Sequence, residues 1–220
     1  EDSPSQAVNT NILGLQNVIE AALANDVDRV IFTSSDKAVN PTSVMGTTKL
    51  MGERLITAAA ITSPRTIFAS TRFGNVLGSR GSVIPLFRQQ IEQGGPITLT
   101  HVEMTRFIMT VEESSALVLD SALLAKGGEV FITKMPVARI ADLAEVMISA
   151  LAGDRKISIH EIGLKPGEKM YEELMSEEEL QRTYEFGDFF VVLPALRNAS
   201  NNLYSYLQGQ KKPNRPYNSV

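Results

Sequence analysis

No cysteine occurs in the 220 residues, and histidine occurs only twice, at His101 and His160. Disulfides and cysteine-based metal centres are thereby excluded, and a histidine-rich metal site is not expected, so no metal ligand is assigned. No apolar run approaches the roughly 18 residues of a membrane span, and the start carries no signal-peptide pattern. This chain is therefore expected to contain no membrane segment. Excess positive charge is lacking too. A net charge of −4 argues against a broad nucleic-acid surface, so phosphate recognition has to come from a few local cations. A Gly-rich dinucleotide fingerprint on the first strand-to-helix turn is also missing. Gly74, Gly78 and Gly81 do not replace it, because they follow a later strand and lack the spacing. The chain opens on Glu1-Asp2-Ser3-Pro4 without an initiating methionine, which sets the expectation of a fragment: either the protein is no dinucleotide enzyme, or the fingerprint lies upstream of Glu1.

What is present points to a packed globular chain: 43% of residues are hydrophobic and 21% charged. Val8, Ile12, Leu15, Val18 and Ile19 recur at helical spacing and predict a helix over Gln6–Ala24. Val27–Ser34 and Thr66–Phe73 are short, apolar and β-branched, as buried strands are. Asp36–Val44, punctuated by Asn40-Pro41, reads as a loop, followed by a helix from Val44 to about Ala60. Further helices are expected over Val83–Gln93, Val111–Leu124 and Ala138–Ala152, with a short one over Lys169–Leu174. Strands are expected over Glu129–Thr133 and Ile157–Ile162, and irregular polar chain from Pro213 onward. Strands alternating with helices predict an α/β fold with a parallel sheet and right-handed crossovers. Ligands of such sheets bind beyond the carboxyl ends of the strands, which singles out Thr33–Lys37 and Phe73–Val76.

The densest polar group is Thr33-Ser34-Ser35-Asp36-Lys37, followed by Met45-Gly46-Thr47-Thr48-Lys49. Met45 and Lys49 lie one helical turn apart and share a face. A hydroxyl, a carboxylate and two amines near one strand end can move protons both ways. From spacing alone, loop charges and a helix cap explain the same residues equally well.

Ser34-Ser35-Asp36-Lys37-Ala38-Val39-Asn40-Pro41 followed by Met45-Gly46-x-x-Lys49 resembles the polysaccharide-biosynthesis dehydratases. These are extended short-chain dehydrogenase/reductase enzymes that convert UDP-N-acetylglucosamine to a 4-keto-6-deoxy sugar. Arg72-Phe73-Gly74-Asn75-Val76-Leu77-Gly78-Ser79-Arg80-Gly81-Ser82-Val83-Ile84-Pro85, Met104-Thr105-Arg106-Phe107 and Lys165-Pro166-Gly167-Glu168-Lys169 resemble the same family in the same order. The likeness is looser after about Met175. It departs from the wider superfamily at Met45, which stands where a tyrosine is usual. A thioether has no proton to give, so Met45 cannot oxidise a sugar hydroxyl, and the resemblance is to the branch with methionine there.

The resemblance implies a Rossmann-type sheet over residues 1–77 lacking its N-terminal part. A smaller substrate lobe would follow over residues 78–220, with some elements returning to the sheet. It implies NAD or NADP as cofactor, a UDP-sugar as substrate, a homo-oligomer and a cytoplasmic location, unless upstream helices anchor the protein. Asp36 is expected as the acid at C6, Lys37 as the base at C5, Ser35 at the C4 hydroxyl, and Lys49 at the nicotinamide ribose. Thr33, Ser34, Arg72, Phe73 and Asn75 are expected around the cofactor. Asn75, Arg80, Ser82, Val83, Arg106, Lys165 and Glu168 are expected on the substrate, Arg106 as a fork on the diphosphate and Glu168 on the nucleotide ribose. Asn9 resembles a family asparagine near the active site. Met104, Met109, Met147, Met170 and Met175 read as packing residues, and Glu177-Glu178-Glu179 as a solvated helix face. A nucleotide-sugar 4-epimerase and a non-catalytic UDP-binding module are the competing readings.

Overall fold

The structure is a computed structural model that describes residues 3–63, 65–79, 81–195 and 202–220. In chain order it contains α1 (Pro4–Val8), a π-helical turn (Asn9–Leu13), α2 (Gly14–Ala24), β1 (Arg29–Ser35), a 3₁₀ turn (Asp36–Ala38), α3 (Val44–Thr62), β2 (Ile67–Phe73), β3 (Asn75–Val76), α4 (Val83–Glu92), β4 (Ile97–Leu99), β5 (Thr105–Met109) and α5 (Val111–Leu124). It continues with β6 (Val130–Thr133), β7 (Val137–Arg139), α6 (Ile140–Leu151), β8 (Ile159–Glu161), β9 (Glu173–Met175), α7 (Glu177–Leu180), β10 (Thr183–Phe186), β11 (Phe189–Val192), a second 3₁₀ segment (Asn202–Leu207) and β12 (Tyr217–Asn218).

The chain divides into two compact units, the first comprising Glu1–Phe73, Glu112–Lys134 and Glu173–Tyr217, the second Gly74–Val111, Met135–Glu172 and Asn218–Val220. The first unit holds a five-stranded sheet in the order β1-β2-β6-β11-β10. Its β1, β2 and β6 run parallel, as expected for a Rossmann-type sheet, with Ser34 opposite Arg72 and Ser70 opposite Val130. Ile19 and Ala22 of α2 pack with Ile56, Ala59 and Ala60 of α3 over Phe68 of β2, which bury the apolar stripes of both helices. At the far edge β10 and β11 form an antiparallel hairpin across Gly187-Asp188, where Gly187 has φ 57°. No strand is foreseen there from sequence, although Phe-Gly-Asp-Phe is a short hairpin signal. In the second unit β3, β5 and β7 form one sheet and β4 and β8 another. Phe87 and Ile91 of α4, Ile97 and Leu99 of β4, and Ala144 and Met147 of α6 make its core.

Two expected helices differ. The stretch Ala138–Ala152 begins as strand, because Ala138 pairs antiparallel with Arg106, and only Ile140 starts the helix. The stretch Lys169–Leu174 is not helical at all. The Arg106 guanidinium takes the carbonyls of Lys169 and Met170, which a first helical turn would need, and the chain passes into β9. The segment from Pro213 includes the short strand β12 rather than irregular chain throughout. Among the described residues no helix is long and apolar enough to cross a membrane, and no group of histidine, aspartate and glutamate fits a metal ion.

Candidate active site

The polar cluster of Ser35, Asp36, Lys37 and Lys49 lies wholly in the first unit, where β1 ends and the chain tightens into the 3₁₀ turn Asp36–Ala38. Ser35 leaves the strand still extended (φ −154°, ψ 168°), and its hydroxyl caps the turn by accepting from the Lys37 amide at 3.0 Å. The same hydroxyl donates to Asp36 Oδ1 at 3.1 Å, and Lys37 Nζ donates to that oxygen at 2.9 Å. The Asp36 side chain is fully buried while that of Lys37 is about half exposed. The other carboxyl oxygen, Oδ2, is buried and meets no hydrogen-bond partner. A buried acceptor without a partner is costly, and it marks the face of Asp36 free to meet a hydroxyl.

Ser43 caps α3 by accepting from the Gly46 amide at 3.1 Å, so the helix starts where the loop ends. A Cβ on Gly46 would collide with the Lys37 carbonyl oxygen and crowd Pro41. Only glycine lets the first turn of α3 press against the 3₁₀ turn. One turn later Lys49 reaches back, donating to the Thr33 carbonyl at 2.9 Å with its ammonium 4.9 Å from the Phe32 ring centre. Burial lowers the pKa of Lys49, and the Glu53 carboxylate partly opposes that shift. The Ser34 hydroxyl, buried nearby on β1, has no partner. Met45 is half exposed, and its sulfur lies 3.5 Å from the Asn11 amide, which also donates to Thr48 Oγ1 at 2.9 Å. Asn11 sits in the π-helical turn, a local geometry frequent at functional sites. Asn9, singled out by the resemblance, opens the same π-helical turn, and Asn11 is the residue of that turn that bonds α3.

Arg72 has no hydrogen-bond donor left for a cofactor. It is 1% exposed, and all five of its N–H groups are taken: two pairs by the carboxylates of Glu53 and Glu179, and a shared contact at the Leu174 carbonyl, at 2.7–2.8 Å. Glu179 is correspondingly buried rather than on a solvated face. Burial would raise its pKa, but the Arg72 charge and hydrogen bonds overcome this and bring it to about 2. Phe73 ends β2 beside Ser35 in register. Met104, Met109, Met147 and Met175 are buried packing residues, while Met170 is only half-buried.

In the second unit, Asn75 opens β3, paired in register with Ile108. Gly74 before it has Phe107 and Met135 against its Cα, leaving no room for a side chain. Ser82 precedes α4 without capping it, and its hydroxyl is buried and unpartnered at the helix N-terminus, beside Val83. Arg80 lies outside the described residues. Arg106 is not an open fork: it is 8% exposed and donates to the carbonyls of Thr105, Met170 and Lys169, with Nε 3.6 Å from Glu172. Lys165 and Glu168 close an exposed turn on each other, the Lys165 amide donating to Glu168 Oε2 at 3.1 Å and the Glu168 amide to the Lys165 carbonyl at 3.0 Å.

A family model described as polysaccharide biosynthesis protein matches residues 1–194. The chain belongs to this family. Its relatives include the uncharacterized membrane protein MJ1061 of Methanocaldococcus jannaschii, 52% identical over 88% of this chain and 60% of that protein. The capsular polysaccharide biosynthesis protein CapD of Staphylococcus aureus is 50% identical over 84% of the chain and 32% of CapD. A UDP-glucose 4-epimerase of Rickettsia canadensis is 40% identical over 95% of the chain and 61% of the epimerase. The chain thus spans less than two thirds of the length of each. The solved structure of Pen from Bacillus thuringiensis superposes on all of this family member with a TM-score of 0.90 at 47% identity, covering 65% of Pen. A dTDP-glucose 4,6-dehydratase of Streptomyces venezuelae, solved with NAD, shares the fold at 20% identity and a TM-score of 0.65 over 75% or more of the chain, here 77%, and 59% of the enzyme.

Proposed function

We propose that the protein dehydrates UDP-N-acetylglucosamine across C5 and C6 to a 4-keto-6-deoxy sugar for glycan synthesis, with NAD or NADP. The observation that carries the reading is the shared oxygen of Asp36: Ser35 Oγ and Lys37 Nζ both donate to Oδ1, at the end of the strand where Lys49 is anchored. The residues fit a dinucleotide, since Lys49 and the unpartnered Ser34 hydroxyl offer a cation and a polar contact at the carboxyl end of β1. A bound nicotinamide would supply reversible hydride acceptance.

The chain's own residues manage the protons. Lys37 removes the C5 proton once C4 is a ketone, and returns a proton to C5 at the end. Asp36 gives its proton to the C6 oxygen, which leaves as water. That proton must be replaced, and the one released from the C4 hydroxyl balances it. Ser35 is placed to carry it, because its hydroxyl already donates to Asp36 Oδ1. Met45 has no proton to contribute to any of these steps. In the second unit, the N-terminus of α4 with the free Ser82 hydroxyl favours Ser82, Val83 and Asn75 as contacts for an anionic substrate group. Arg72 has no role at the cofactor in this reading.

The experiment is incubation with UDP-N-acetylglucosamine and either dinucleotide, read by proton NMR. A 4-keto-6-deoxy product that disappears in Asp36→Asn and in Lys37→Ala supports the reading. Production of a UDP-N-acetylhexosamine isomer alone favours a 4-epimerase, a reading supported by the relatives of that name. UDP binding without turnover favours a binding module.

A further inference from the structure

The residues of the proton-handling cluster are gripped by a piece of chain far away in sequence. Glu173, at the start of β9, accepts from the Asn40 side-chain amide at 3.0 Å. Asn40 ends the Asp36–Val39 stretch in the left-handed region, at φ 45°, a conformation that asparagine tolerates better than most side chains but that needs support. The next residue, Leu174, offers its carbonyl to Arg72, and Glu179 of α7 supplies that arginine with both carboxylate oxygens. Arg72 in turn holds both oxygens of Glu53, one turn beyond Lys49 on α3. The short α7 is itself locked by a capping box between Ser176 and Glu179. One segment is therefore linked to the Asp36–Lys37 turn through Asn40 and to the helix that carries Lys49 through Arg72, and every one of these contacts lies within the first unit.

We infer that Glu173–Leu180 is a positioning brace, with Glu173 setting the Asp36–Lys37 turn through Asn40, and Glu179 setting the Lys49 helix through Arg72 and Glu53. The catalytic consequence rests on the dehydratase reading above; the positioning itself does not. Glu173 is half-buried and its side chain accepts from Asn40, which is neither a core residue nor a proposed proton carrier, so replacing it perturbs the turn without removing a catalytic group.

The test uses the full chain and three variants: Glu173→Ala, Glu173→Gln, which keeps an acceptor oxygen, and Asn40→Gly, which keeps the backbone conformation without the amide. Amide hydrogen exchange is followed residue by residue. Glu173→Ala and Asn40→Gly should speed exchange across Lys37–Val39 by about two- to tenfold, the worth of one hydrogen bond, with the melting temperature lowered by no more than the about 1–6 °C that one such bond is worth and the two-state melt retained. Glu173→Gln should restore it. Where the wild type turns over UDP-N-acetylglucosamine, Glu173→Ala should lower kcat by a similar factor and leave KM as it was. Exchange across Lys37–Val39 at the wild-type rate in Glu173→Ala overturns the brace. Altered exchange in a chain that turns over no substrate keeps the brace and counts against the dehydratase reading instead.

Discussion

Replacing Arg72 by leucine should destabilise the protein more than any loop substitution in the acid–base cluster. Arg72 is 1% exposed and balances two carboxylates that are themselves 3% and 5% exposed. Removing one member of such a buried network leaves charge without compensation, at a cost of about 3–5 kcal/mol. For a chain of this size each kcal/mol moves the melting temperature by about 2–4 °C, so Arg72→Leu should melt about 6–20 °C lower. The sign of the pH dependence follows from Glu179. Its folded pKa, about 2, lies below the ordinary carboxylate value of 4.5, so its contribution is present above that value and fades as pH falls towards 2. In Arg72→Leu the ion pair is gone, and the loss of stability between those two pH values should shrink. Thermal melts by circular dichroism between pH 3 and pH 7, on the order of the range set by these carboxylates, measure both effects. A companion variant, with Arg72→Leu, Glu53→Met and Glu179→Met together, should recover much of the stability, since an apolar replacement of the whole network leaves no buried charge. A melting temperature of Arg72→Leu within about 2 °C of wild type at neutral pH, well short of the expected shift, refutes the account of Arg72 as a buried counter-ion.

Three other perturbations have clear expected outcomes. Gly46→Ala puts a methyl group into the Lys37 carbonyl oxygen; it should cost about 1–3 kcal/mol in urea unfolding and lower turnover of UDP-N-acetylglucosamine, whereas unchanged stability would mean the turn yields freely. Tyr206→Phe removes the hydroxyl that donates to Glu129 at 3.2 Å, a bond that holds down a carboxyl pKa already raised by burial. Because the folded pKa of Glu129 exceeds the unfolded one, its contribution falls as pH rises from 4.5 through the folded value; the variant should lose about 1 kcal/mol and extend that decline to higher pH, and parallel stability–pH curves would contradict this. Asn11→Ala frees Thr48 and Met45 at the first turn of α3, so exchange at Gly46–Lys49 should quicken about two- to tenfold, and protection equal to wild type would show that Asn11 is a bystander.

Periodicity and strand composition made the parallel core legible. β1, β2 and β6 fall within about two residues of their expected bounds. What composition alone did not reveal was structure imposed by distant partners. Val137–Arg139 has the apolar character of a helix start, yet the open edge of β5 takes it as a strand. Lys169–Leu174 loses its helix to Arg106, a residue far upstream that claims its carbonyls. Both departures are tertiary contacts overriding local preference.

The same division runs through the site. Ser35, Asp36, Lys37 and Lys49 stand out in the sequence because proton-carrying side chains crowd a strand end, where such sheets place their ligands, and their proposed roles come from the resemblance, since spacing alone fits a loop and a helix cap equally well. Arg72 is instructive: it lies within β2, one residue before its end, and side chains alternate along a strand, so it packs among Glu53 and Glu179. An arginine at a strand end signals an anion only if its donors are free, and spacing along one chain does not report whether they are. Glu179 illustrates the converse, since a run of three glutamates reads as solvated until its partner is known. The groups proposed to do chemistry are thus visible as a local cluster, while the groups proposed to position them are hidden in pairings between residues as far apart as Arg72 and Glu179. Wherever a turn is as short as Asp36–Ala38, its geometry has to be fixed from outside, and the search for what fixes it begins with buried ion pairs rather than with motifs.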